Sequence, residues 1–183
     1  LPMSFEPFLM ERWQSTWENH VDVNLSESGV EPLTVDELLE GDPELRRAVL
    51  EQPLHYVQTN GTTALRERIA ALYPGATADH VEVTTGGAEA NQMVTWTLIE
   101  PGDEVVVMLP NYMQVWGLVR AYGADAKGWQ LVEDGDAGRW RPDMDALADL
   151  VGERTRIIAI CNPNNPTGSC LTADELDLIG AIA

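Results

Sequence analysis

The sequence predicts an α/β fold, a mostly parallel sheet with helices on both faces. Three observations carry this. From residue 81 onward, short apolar runs alternate with segments of helical period: VEVTT (81–85), EVVVMLP (104–110), AKGWQLV (126–132) and RTRIIAIC (154–161) mark the strands. The run at 105–109 is short and apolar, the pattern of a strand. The spacers between runs are long enough to hold helices, and a parallel neighbour requires such a crossover.

Taken in order, residues 6–19 (EPFLMERWQSTWEN) have amphipathic helical spacing, with Phe8, Trp13 and Trp17 on the side expected to be buried. VNLSESGVEP (23–32) reads as extended chain ending in a Gly/Pro loop. Thr34 and Glu37 have capping-box spacing and open a short helix. TTALRERIAALYPG is a helix stopped by Pro74 and Gly75. After the VEVTT strand, GGAEANQMVTWTLI is helical, EPGD is a turn, and EVVVMLP is a strand. QVWGLVRAYGA is helical, AKGWQLV a strand, RPDMDALADLVG a helix with an early proline, and RTRIIAIC a strand. Thr172 and Glu175 repeat the capping-box spacing and open a last helix. Residues 1–50 are expected to form an N-terminal arm and a segment of a small domain, and 51–183 the first part of a larger domain. A parallel sheet covered on both faces needs more strands than these, so the chain is expected to be a piece of a longer protein.

The 183 residues carry 11 basic and 30 acidic side chains, a formal charge of −19. Such a surface repels phosphate backbones and anionic lipid, which excludes nucleic acid and membranes as expected partners. Lys127 is the sole lysine. Cys161 and Cys170 form neither a disulfide framework nor a metal-ligand pattern, and His20, His55 and His80 are scattered, so no metal is expected. A reducing, cytoplasmic setting is expected from this cysteine usage, and no apolar run approaches membrane-spanning length.

Three loops carry candidate chemistry. In VTTGGAEA (83–90), Gly86 and Gly87 lead from a strand into a helix. The pair serves either as a tight turn or as a cradle in which the N–H groups around Gly87 and Ala88 hold an anion, most naturally a phosphate. It is neither a dinucleotide fingerprint nor a P-loop. Tyr112, in LPNYM, follows a strand end where open α/β sheets bind ligands; it is either a half-buried tyrosine or a ring that stacks on a planar ligand. In NPNNPTG (162–168), Pro163 and Pro166 stiffen a loop rich in amides. The loop is either plain turn chemistry or a rigid mount for an uncharged donor such as Asn165.

These residues together resemble the pyridoxal-phosphate-dependent aminotransferases of fold type I, class I/II. NPNNPTG is the most specific match. VTTGGAEA, P-x-Y at 110–112 and HYVQTNGTTALRERIA at 55–70 match in the same order, and the resemblance spans roughly residues 20–183. It implies part of the large domain that binds pyridoxal 5'-phosphate. It also implies that Asn165 hydrogen-bonds the phenolic oxygen of the cofactor ring, that Tyr112 stacks on the pyridine, and that Gly87 and Ala88 hold the phosphate. Tyr56 would reach the phosphate of a neighbouring subunit's cofactor, which implies a homodimer, and Gly29 would approach the substrate carboxylate. The implied reaction is exchange of an amino group between an L-amino acid and a 2-oxo acid. The alternatives are another reaction on the same scaffold (β/γ-lyase, decarboxylase or amino-acid cyclase) and a pyridoxal-phosphate-binding sensor domain of a transcription regulator. In family order the Schiff-base lysine, the aspartate at the ring nitrogen and the main carboxylate-binding arginine follow the NPTG loop. No catalytic residue is therefore expected among these 183, which alone are expected not to transaminate. Lys127 is expected to be a surface residue away from the three loops.

Overall fold

The computed structural model describes residues 5–26, 29–135 and 138–183. Four strands form one sheet: β1 (Glu104–Leu109), β2 (Asp125–Asp134), β3 (Arg139–Pro142) and β4 (Thr155–Ala159). The helices among the described residues are α1 (Leu9–Trp17), α2 (Val35–Leu38), α3 (Pro43–Glu51), α4 (Thr63–Ala70), α5 (Gly87–Leu98), α6 (Gln114–Ala121), α7 (Met144–Leu150) and α8 (Ala173–Ile182), with a 3-10 turn at Ala78–His80. The chain divides into two compact units, residues 25–85 and residues 86–183 with 1–24.

In the second of these units the strand order is β3-β2-β1-β4. β1 pairs in parallel with both β2 and β4, and β2 pairs antiparallel with β3. Successive side chains of a strand point to opposite faces, and β1 supplies both cores. Val106 and Met108 pack with Trp129, Leu131, Leu147 of α7 and Ile179 of α8. Val105 and Val107 pack with Ile99 and with Val119 of α6. Helices therefore cover both faces, as the continuous apolar run requires. Each fully buried valine or methionine of β1 contributes roughly 1.5–3 kcal/mol of apolar transfer.

Local signals explain most boundaries. Thr172 caps α8 through a capping box with Glu175, and Asp143 caps α7 by accepting from Ala146 N–H. Several features depart from the sequence reading. Among the described residues VEVTT joins no ladder; Val83 N–H donates instead to the Asn60 carbonyl and Val81 N–H to the Ala78 carbonyl, so loops of its own unit take the bonds of these two amides. Helix α1 forms, but none of its residues is buried: Trp13 is 57% and Trp17 49% exposed, because the helix joins neither core cluster, and only Phe8 before it meets a ring, that of Tyr112. Finally, Pro142 ends the antiparallel edge strand β3 instead of opening a helix. Proline is tolerated there because an edge strand leaves an N–H unpaired.

The 25–85 unit is built around short capped helices. Thr34 and Glu37 form the expected capping box at α2, Asp42 caps α3 with Pro43 in its first turn, and Thr62 caps α4. Arg66 is buried; it donates from Nη1 to the Ala78 carbonyl at 2.7 Å and from Nε to the Gly61 carbonyl at 3.2 Å. Gly61 has φ +95°, and a Cβ there would lie 2.5 Å from Val83 Cγ2. Gly61→Ala is thus expected to lower the stability of this unit by roughly 2–4 kcal/mol, combining left-handed strain with overpacking. Urea denaturation checks it, and Val83→Ala in the same chain is expected to recover only a fraction of the overpacking, because Val83 Cβ would still lie 2.7 Å from the new methyl.

Candidate functional site

Parallel strands deliver their C-terminal ends to one edge of the sheet. β1 leaves at Leu109 into Pro110, Asn111 and Tyr112 and enters α6; β4 leaves at Ala159 into the 160–171 loop and α8. Side-chain amides tie these exits together. Gln114 Nε2 donates to the Ala88 carbonyl at 2.8 Å, and Asn91 Nδ2 donates to Gln114 Oε1 at 3.1 Å, so the first turn of α5 stands beside the first turn of α6. Asn164 Nδ2 donates to the Pro110 carbonyl at 3.0 Å. Asn111 closes the Tyr112 turn by donating to the Met108 carbonyl and accepting from Tyr112 N–H at 2.7 Å.

Gly87, Ala88, Tyr112 and Asn165 thus lie on three turns connected at one sheet edge. Gly86 caps α5 with φ +84°, a left-handed geometry that favours glycine, and no side chain caps the helix. A Cβ added at Gly86 or Gly87 would meet nothing within 4 Å, so open space lies where the positive end of the helix dipole favours an anion. Tyr112 is half-buried, its ring 5.6 Å from that of Phe8 at 55°. Burial first, and the Glu11 charge second, push its phenol above the usual tyrosine value, so the hydroxyl stays protonated at neutral pH. Asn165 is exposed on its loop; its backbone N–H donates to Cys161 Sγ at 3.4 Å, and the Cys161 thiol donates to the Pro163 carbonyl at 3.3 Å. Tyr56 and Gly29 lie in the other unit, Tyr56 with its side chain fully exposed.

Lys127 is not the plain surface residue expected. Its amine donates to Glu104 Oε2 at 2.6 Å and to the Leu150 carbonyl at 3.2 Å. Arg154 reaches Glu104 Oε1 at 2.5 Å. Glu104 is the first residue of β1, buried at the N-terminal edge of the sheet. Five strand steps separate it from Leu109, about 17 Å at ~3.3 Å per residue, so this amine is remote from the three turns. The hydrogen bond from Lys127 chiefly, opposed by burial and aided by the Arg154 charge, holds the Glu104 carboxyl below the ordinary glutamate value of 4.5. A carboxyl lowered by folding stabilises the fold fully above its unfolded value and loses that contribution as pH falls through the folded value. Urea midpoints are expected to fall on acidification below about 4.5, and Glu104→Gln is expected to flatten that fall; a change in slope confined to higher pH would contradict the assignment.

Sequence reasoning missed Asn164 and Gln114. Asn164 lies inside the quoted NPNNPTG, and its signal was an amide between two prolines that a turn alone does not need. Gln114 had none, since its partner is 26 residues away. Among the described residues no group of histidine, cysteine or acidic side chains gathers for a metal, and no helix is long and apolar enough to cross a membrane.

Known proteins resemble this chain in sequence and in fold. The family model described as aminotransferase class I and II matches residues 23–183. Histidinol-phosphate aminotransferase 2 of Carboxydothermus hydrogenoformans is 32% identical over 86% of this chain and 42% of its own length. Capreomycidine synthase of Streptomyces vinaceus is 34% identical over 97% of this chain and 46% of its own. A solved PLP-dependent aminotransferase from Streptococcus suis superposes with TM-score 0.88 at 29% identity, covering 99% of this chain and 49% of that one. The chain thus spans about half the length of the relatives it matches. On the family match over residues 23–183, the chain belongs to the class I and II aminotransferases.

Proposed function

We propose that this chain is the part of a pyridoxal-phosphate-dependent aminotransferase that grips the cofactor, in a protein that exchanges an amino group between an L-amino acid and a 2-oxo acid. The observation that carries the reading is the set of amide ties joining the α5 start, the Tyr112 turn and the Asn165 loop at one sheet edge. The donor set fits the cofactor: a helix start with a glycine cap facing open space for a phosphate, an aromatic ring for a pyridine, and an uncharged amide for a phenolic oxygen. Gly87 and Ala88 N–H groups would hold the phosphate, Tyr112 would flank the ring, and Asn165 would donate to its oxygen. When bound, the cofactor supplies an electron sink for a bond broken at the amino acid's α-carbon. The residues of this chain bind and orient it, and the carboxamide of Asn165 stabilises the oxygen in its deprotonated form. Tyr56, on the surface of its unit, would serve the phosphate of a second copy in a homodimer, and Gly29 would face the substrate carboxylate.

The likeness to capreomycidine synthase over nearly the whole chain supports a second reading, an amino-acid cyclase or lyase on the same scaffold. The full-length protein, loaded with pyridoxal phosphate and given a panel of L-amino acids with 2-oxoglutarate, tests both. Stoichiometric formation of new amino and 2-oxo acids supports transfer; turnover of the amino acid without a new amino acceptor product supports the second reading. Failure to take up the cofactor contradicts both.

A further inference from the structure

Asn164 is the buried polar residue of the 160–171 loop, 4% exposed, and all its polar groups are engaged. Oδ1 accepts from Thr167 Oγ1 at 2.7 Å and from Thr167 N–H at 3.2 Å. Its backbone N–H donates to the Ser169 carbonyl at 2.8 Å, and its carbonyl accepts from Gly168 N–H at 2.7 Å. These bonds are local and shape the turn. The bond from Nδ2 to the Pro110 carbonyl is different: it spans 54 residues at 3.0 Å and joins the Asn165 loop to the turn that carries Tyr112 two residues later. A separate bond, from Trp140 N–H of β3 to Ser169 Oγ at 3.3 Å, ties the far side of the loop to β3, so the Asn164 bond is the one that reaches the Tyr112 turn.

Resting on the cofactor reading above, we propose that Asn164 is a positioning residue. Through its amide it sets the spacing between the Asn165 carboxamide and the Tyr112 ring, and so the strength of the hydrogen bond Asn165 donates to the phenolic oxygen of the bound ring. A hydrogen bond to the deprotonated oxygen favours that form, so loosening the loop raises the pH at which the bound cofactor changes its absorption.

The test uses the full-length protein loaded with pyridoxal phosphate, with spectrophotometric pH titration as the readout. Asn164→Asp keeps an acceptor for Thr167 and sets an oxygen against the Pro110 carbonyl. It is expected to raise the spectral midpoint by about one pH unit and the cofactor dissociation constant about tenfold. Asn165→Ala is expected to move the midpoint in the same direction, by at least as much. The double variant is expected to move it no further than Asn165→Ala alone, because Asn164 acts through Asn165. Thr167→Val, which removes the hydroxyl that donates to the amide and accepts from Ser169 N–H, is expected to give a smaller shift of the same sign and serves where Asn164→Asp does not fold. A folded variant with an unmoved midpoint, or additive shifts in the double variant, overturns the positioning role while Asn165→Ala still shifts. An unmoved midpoint in Asn165→Ala itself overturns the cofactor reading and this role together.

Discussion

Trp129→Ala is expected to lower the stability of the unit that holds the sheet by about 4–6 kcal/mol, most of what a domain of this size possesses. Trp129 is fully buried and shares a core with Val106, Met108, Leu131, Leu147 and Ile179. Removing the indole leaves a cavity in a close-packed interior and takes away both transfer energy and contacts, typically 3–5 kcal/mol for a large aromatic. The indole N–H also donates to the Asp143 carbonyl at 2.6 Å, an acceptor it shares with Leu147 N–H, and loss of this hydrogen bond adds about 1 kcal/mol. Asp143 is the cap of α7, so the loss extends to the helix that covers this face. Trp129→Phe keeps most of the volume and loses the hydrogen bond; it is expected to cost about half as much. Thermal melts followed by near-ultraviolet circular dichroism, which reads the packed aromatic core, check both. A Trp129→Ala melt within a few degrees of the wild type would show that this core does not hold the unit together.

Gly87→Asp is expected to weaken binding of pyridoxal phosphate about a hundredfold, roughly 2.7 kcal/mol, and to leave the fold intact. Gly87 does not sit in the left-handed region, and nothing lies within 4 Å of a Cβ built there. The substitution therefore adds neither strain nor a clash, and an acidic residue in the first turn of α5 is favourable to the helix itself. What it changes is the occupant of the open space: a carboxylate takes the position proposed for a phosphate. Two like charges about 4 Å apart repel by roughly 4 kcal/mol at the effective dielectric of a protein surface, before salt reduces it. Gly87→Ala fills the same space without charge and is expected to weaken binding less. Tryptophan fluorescence titration with the cofactor checks the order of effects, and equal affinity in wild type and Gly87→Asp would remove the phosphate from this turn.

Much of this fold is legible in the sequence where a physical pattern is local. The VVVML run reads as a strand, and the Thr34 and Thr172 capping boxes name their helix starts to the residue. The failures are tertiary. VEVTT has the residues of a strand, but pairing is decided by a neighbour, and its bonds go to loops at Asn60 and Ala78. Trp13 and Trp17 have helical spacing that promises a buried face, and spacing says nothing about what surface is there to bury it. The sequence pattern merges β3 with the following helix, although Arg139, Trp140 and Arg141 alternate polar and apolar after Gly135 and Gly138; for α3 the signal is the pair Asp42 and Pro43 at its start. The site divides in the same way. Glycines, Tyr112 and the amide loop were readable because their chemistry is compact in sequence, whereas the bonds that assemble them, from Gln114 to Ala88 and from Asn164 to Pro110, span 26 and 54 residues.

The dissociation constants of pyridoxal phosphate and of unphosphorylated pyridoxal, measured side by side on the wild-type full-length protein and on Asn165→Ala, bear most directly on whether these three turns hold one ligand. If they do, the wild type prefers the phosphorylated form by about a hundredfold. Asn165→Ala then weakens both ligands about tenfold and leaves their ratio unchanged, because the ring and the phosphate are gripped separately. Equal affinity of the wild type for the two ligands, or Asn165→Ala binding both as tightly as the wild type, would contradict it.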